Sequence, residues 1–180
     1  MDDLQHRTRL PDALRVLLEQ YPRDMWESHR NFDGLTRFWL ERHLMFRRAL
    51  AQWQQDTRGF LDKARDAQAH GQMTARIGGF LINELHGHHH IEDAHYFPVL
   101  SAAETRLARG FELLDADHHT LDAELAALTE AANTHLRTLS TESAGEILAK
   151  LEGFERFLDR HLVDEEELVV PVILHHALRF

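Results

Sequence analysis

The stretch His88-His89-His90-Ile91-Glu92-Asp93-Ala94-His95-Tyr96-Phe97-Pro98 decides the fold, because a second stretch answers it later in the chain. That second stretch is His161-Leu162-Val163-Asp164-Glu165-Glu166-Glu167-Leu168-Val169-Val170-Pro171. In each, a glutamate follows the leading histidine by four residues and a proline follows it by ten. A lone histidine precedes each stretch at a similar distance: His43 lies 45 residues before His88, and His118 lies 43 before His161. Residues four apart share one face of a helix, so each His-xxx-Glu pair sets an imidazole above a carboxylate. The chain reads as two helix–helix hairpins of similar design.

Apolar residues around these motifs recur every three or four positions. The series are Leu35, Trp39, His43, Phe46, Leu50, Trp53; then Ile77, Leu81, Leu85, His88, Glu92, His95, Val99. Two more follow: Leu107, Phe111, Leu114, His118, Leu121, Leu125, Leu128; then Ile147, Leu151, Phe154, Leu158, His161, Glu165, Leu168. Each is the buried stripe of a bundle helix. The expected fold is all-α, an up-down four-helix bundle with short extra helical segments at both termini. It forms a single domain over 1–180 with a bundle core at about 33–171.

The four helices are expected to start and stop at local signals. Asn31 or Asp33 caps the first, which runs to about Arg65. His70-Gly71 breaks the chain before the second, which ends near Phe97-Pro98. The third spans about Ser101 or Glu104 to Leu139. Ser143 and Glu146, at capping-box spacing, open the fourth, which ends near Val170-Pro171. A short amphipathic helix is expected over Pro11–Gln20, and a short tail over Val172–Phe180.

Composition narrows the function classes. The 180 residues are 43% hydrophobic and contain only 9 glycines and 4 prolines, which suits a helical globular domain. The net charge of −10 and the lack of a basic patch exclude a nucleic-acid partner. The N-terminal residues have no apolar signal core, and no apolar run approaches the ~20 residues that cross a bilayer. A membrane role is therefore excluded, and a cytoplasmic location is expected. With no cysteine, neither thiolate zinc sites nor thiol nucleophiles are available.

Histidine is the anomaly, with 15 in the chain. His43, His88, Glu92, His118, His161 and Glu165 all fall where a bundle helix ordinarily places leucine. Buried carboxylates are costly unless paired or metal-bound, and no Lys or Arg lies on these stripes to match them. One or two cations meet the demand, and donors of nitrogen and oxygen without sulfur suit iron, manganese or zinc. His89 and Glu166 are further candidate ligands, Glu166 being expected in solvent or behind the ligands. Asp93 and Asp122 are expected to orient imidazoles or face water. A ferritin-like use of Glu92-xx-His95 fails, because Leu168 occupies the equivalent place in the fourth helix. His86, His90, His119, His175 and His176 are expected at the surface, and His6, His29, His70 and His135 carry no signal.

The pattern His43, His88-His89-His90-Ile91-Glu92-Asp93, His118, His161-Leu162-Val163-Asp164-Glu165-Glu166, with Phe97-Pro98 downstream, resembles the hemerythrin-like HHE cation-binding domain. The resemblance covers about residues 33–171. It implies a non-haem centre of two iron ions, with zinc or manganese as alternatives, that meets a diatomic ligand or peroxide. The chain departs from the oxygen-carrying members. Position 122, four residues after His118, is aspartate where they have a second histidine. Their last acidic ligand corresponds to Glu166, not Glu165. His89 stands where some members have an extra ligand.

Three functions are compatible with such a centre. One is a module that binds, senses or handles dioxygen or related small oxidants, including peroxide and nitric oxide. Another is a di-iron enzyme with catalase- or oxidase-like activity, and the last is a bundle stapled by metal that acts through its surface.

Overall fold

The computed structural model describes residues 3–180, and no strand occurs among them. Four long helical stretches carry the chain: α1 (Gly34–Leu61); α2 (Ala67–Ile91), continued by a π-turn (Glu92–Tyr96) and α3 (Phe97–Ala103); α4 (Ala108–Thr138); and α5 (Thr141–His176). The all-α helical bundle expected from the stripes is the fold observed.

The helix ends follow the local chemistry. Asp33 caps α1, its Oδ1 accepting from the Thr36 N–H and hydroxyl at 2.8 Å. The other end closes with Lys63 at φ 59°, with the Lys63 N–H on the Phe60 carbonyl and the Ala64 N–H on the Gly59 carbonyl. Asp66 then caps α2 through the Ala69 N–H at 3.0 Å. The expected break at His70-Gly71 is therefore a correction: Gly71 lies inside α2, where one glycine costs only about 1 kcal/mol. Ser140 caps α5 by accepting from the Ser143 N–H, three residues before the expected start.

Two further expectations fail. Over Pro11–Gln20 only a 3-10 turn, Asp12–Leu14, forms, although Leu14, Leu17 and Leu18 are buried as an amphipathic segment would have them. And α5 does not stop at Pro171; it continues to His176. The proline forfeits one backbone hydrogen bond. Val169, Val170, Val172, Ile173 and Leu174 around it are all buried, and that apolar burial outweighs one lost bond.

The π-turn corrects the second stripe. One extra residue in the turn rotates everything after it, so the inward positions pass from His95 and Val99 to Phe97 and Leu100. His95 is exposed and Val99 is 47% exposed, while Phe97 and Leu100 are buried.

The chain divides into two compact units, and the division crosses the long helices. The first comprises Met1–His43, His89–His119 and Asp159–Phe180. Its apolar core joins Leu10, Leu14, Leu17 and Trp26 to Trp39, Phe97, Phe111 and the α5 run Leu168–Leu174. The second comprises Leu44–His88 and Thr120–Leu158. Phe46, Leu50, Trp53, Leu81, Leu85, Leu121, Leu125, Leu151 and Phe154 are buried there. In that unit Gly78 lets the Trp53 ring approach so closely that a Cβ would sit 2.7 Å from it.

Candidate metal centre

All six core candidates are buried. Their donor atoms fall into two groups, each with its atoms within 4.8 Å of one another. One contains His43, His88, Glu92 and Glu165; the other contains His89, His118 and His161. Carboxylates lie between the groups: Glu165 Oε2 is 3.5 Å from both His43 Nε2 and His161 Nε2, and Glu92 Oε2 is 3.7 Å from His118 Nε2. Each glutamate is thus placed to serve a cation in either group.

The other ring nitrogens explain the orientation. His118 Nδ1 lies 2.8 Å from Asp93, His161 Nδ1 3.3 Å from Asp117, and His43 Nδ1 3.0 Å from Glu166. A carboxylate can only accept, so each Nδ1 carries the proton and each Nε2 turns a lone pair inward. His118 Nε2 and His161 Nε2 then confront one another at 3.1 Å. Two lone pairs at that distance repel unless a cation or an extra proton joins them. Glu165 sharpens the demand: both of its oxygens are buried without a hydrogen bond. Burial, followed by the charge of Glu92, holds its carboxyl well above the usual range. Burial also pushes the His161 imidazole below its ordinary value, against the hydrogen bond it donates to Asp117. The site disfavours a proton on His161 and bare charge on Glu165, and a metal ion relieves both. The residues fit a metal.

Surrounding groups complete the site. Trp39 Nε1 donates to Glu92 Oε1 at 2.7 Å. Arg7, from the N-terminal segment, is buried between two carboxylates; it grips Asp117 with both terminal nitrogens and donates from Nε to Asp164 at 2.7 Å. Burial opposes the guanidinium charge, yet the bonds and charges of Asp117 and Asp164 outweigh it and raise the Arg7 pKa. Arg160 Nη2 also donates to Asp164, at 2.6 Å, and Arg23 Nη1 donates to Glu166 Oε2 at 2.6 Å.

Several expectations about individual residues can now be placed. His89 joins the second donor group and stacks on His118 with centroids 4.1 Å apart. Glu166 is buried, not solvated, and stands behind His43 outside both donor groups. The acidic run Asp164–Glu166 is interior because Arg7, Arg160 and Arg23 neutralise the members that face away from the donors. Asp93 holds an imidazole as expected, while Asp122 meets the half-exposed His86 at 3.1 Å.

Sequence reasoning missed Asp117, Asp164, Trp39 and both N-terminal arginines. The adjacency of Asp117 to His118 was a weak signal for the first. No periodicity marks Arg7, which reaches the centre from outside the helical stripes. His70 and His135 were also passed over. Both are fully buried in the second unit, with Nε2 atoms 2.8 Å apart.

A helical bundle with interior histidines and carboxylates, arranged in two donor groups, defines a metal-binding protein. The Hemerythrin HHE cation binding domain profile matches residues 34–173, and the chain belongs to that family. No curated protein and no solved structure matches it significantly.

Proposed function

We propose that the protein holds a pair of non-haem iron ions and uses them to bind, sense or handle dioxygen or a related small oxidant such as peroxide or nitric oxide. The carrying observation is the confrontation of His118 Nε2 and His161 Nε2 at 3.1 Å, each with its outer nitrogen on a carboxylate. His89, His118 and His161 would hold one ion, and His43 and His88 the other, with Glu92 and Glu165 between them. An iron or manganese pair would supply electron transfer to small oxidants when bound, whereas zinc, which has no redox chemistry, would supply a Lewis acid only.

The chain's own residues keep that chemistry contained. Asp93, Asp117 and Glu166 fix the tautomer and orientation of three imidazoles. The Trp39 N–H orients Glu92. Apolar neighbours Phe97 and Phe111 exclude water from the His118 side, where Phe97 stacks on that ring at 5.4 Å. No helix among the described residues is long and apolar enough to cross a membrane. An acidic, cysteine-free chain supports a cytoplasmic setting.

Metal analysis of the purified protein, with absorption spectra before and after oxygen and peroxide, tests the reading. About two irons per chain are expected from the two donor groups, with near-ultraviolet bands that respond to oxidant. Iron-free protein that folds normally and refuses added iron would sink the proposal. Sustained oxygen evolution from peroxide by the iron form would instead favour the catalase-like enzyme.

A further inference from the structure

We infer that the C-terminal turn of α5 forms a second, solvent-accessible metal site, in which His175, His176 and Glu104 take a borderline divalent cation such as copper(II), nickel(II) or zinc(II). One ligand atom from each residue falls within 4.8 Å of the others. His176 Nε2 lies 3.2 Å from Glu104 Oε2. Two bonds of about 2.0–2.2 Å to one tetrahedral ion hold their ligand atoms roughly 3.3–3.5 Å apart, so this pair needs almost no movement. The two imidazoles meet edge to face, with centroids 4.7 Å apart, and the Tyr21 hydroxyl 3.0 Å from His175 Nδ1 helps fix one of them.

The surroundings favour positive charge. Both histidines occupy the last turn of a 36-residue helix, whose unsatisfied carbonyls make that end negative. Glu104 is buried, and Arg106 donates to both of its oxygens at 2.7 Å, which keeps the carboxylate ionised and rigid. Arg106 also competes for that carboxylate, so this site binds more weakly than the buried centre. Two nitrogens and an oxygen without sulfur suit the copper, nickel and zinc class. Ten residues of α5 separate Glu165 and Glu166 from His175 and His176, a rise of about 15 Å, so one ion cannot serve both places. The inference does not depend on what the buried centre does.

The test uses the full chain with its buried centre loaded as isolated, stripped of loosely held metal on a chelating resin, and titrated with copper(II). One further equivalent is expected, with nitrogen hyperfine structure in its electron paramagnetic resonance spectrum and no change in the metal content of the buried centre. His175→Ala and His176→Ala should each weaken that binding by about tenfold or more. Both side chains are at the surface, so these variants fold. His43→Ala, which strikes the buried centre, should leave the added copper in place. Absence of a further equivalent, or copper affinity unchanged in both surface variants, overturns the inference.

Discussion

The molecule contains two buried imidazole pairs of nearly the same geometry, and the groups on their outer nitrogens differ at one position. In the first unit His118 Nε2 and His161 Nε2 are 3.1 Å apart; in the second His70 Nε2 and His135 Nε2 are 2.8 Å apart. Each pair has a carboxylate on one outer nitrogen, Asp93 at 2.8 Å and Asp56 at 2.6 Å. The fourth position separates them. Asp117 stands behind His161, whereas the Ser143 hydroxyl stands 2.7 Å behind His135. A hydroxyl can donate. Ser143 has one proton for two acceptors, the Ser140 carbonyl at 3.1 Å and His135 Nδ1 at 2.7 Å; given to the nearer His135 Nδ1, it lets His135 Nε2–H donate to His70 and His70 Nδ1–H donate to Asp56. Every nitrogen is satisfied and no cation is required. Behind His161 a carboxylate cannot donate, so the same chain of bonds cannot close. The group on the outer nitrogen, together with Glu92, Glu165 and His89 beside the first pair, separates a candidate metal site from a polar strut.

The largest expected effect breaks this contrast directly. His118→Ala or His161→Ala should remove most of the bound metal, read by elemental analysis. His135→Ala should leave the metal content intact and cost about 2–5 kcal/mol in denaturant unfolding, through a cavity and orphaned polar partners. Equal metal loss in all three variants would erase the distinction. Next comes Arg7→Met, which leaves the buried Asp117 without a cation and Asp164 with Arg160 alone. Loss of one partner of a buried pair costs about 3–5 kcal/mol, and Arg7→Lys should recover only part of it, since one ammonium cannot reproduce the fork on both aspartates. Asp117→Asn should be milder for folding but lower metal affinity by about 10–100-fold in a chelator competition.

The candidate donors were legible in the sequence because they break a strong apolar rhythm. His43, His118, His161, Glu92 and Glu165 stand at positions that repeat every three or four residues, and a polar residue there has few explanations. The groups behind them were not. Asp117 and Asp164 lie one position off the stripe, where an acid ordinarily meets solvent, and Arg7 folding in from the N-terminal segment, with Arg160 on Asp164, makes them interior. The π-turn at Glu92–Tyr96 was equally hidden, since a one-residue insertion in a helix leaves composition unchanged while moving His95 outward. His70 and His135 escaped notice because their partners, Asp56 and Ser143, are scattered along the chain and join only in the folded unit.

The smallest effect expected is a pH dependence confined to the second pair. Burial, followed by the repulsion that a proton on His70 would exert, lowers the His135 pKa below the ordinary 6.5. In the unfolded chain this imidazole takes up a proton near pH 6.5, whereas the folded one refuses it until the pH is lower. Its contribution is therefore complete above pH 6.5 and is lost as the pH falls through the lowered folded value, at no more than about 1.4 kcal/mol per pH unit. Metal-loaded protein isolates this term, because metal-bound imidazoles do not titrate in the same range. Unfolding free energies measured between pH 7.5 and about 5 should fall in the native protein and fall less in His135→Gln, whose amide has no proton to gain. Identical slopes in the two proteins would mean that the His70–His135 pair is protonated in the folded state already, and the neutral, fully donated chain from Ser143 to Asp56 would then be wrong.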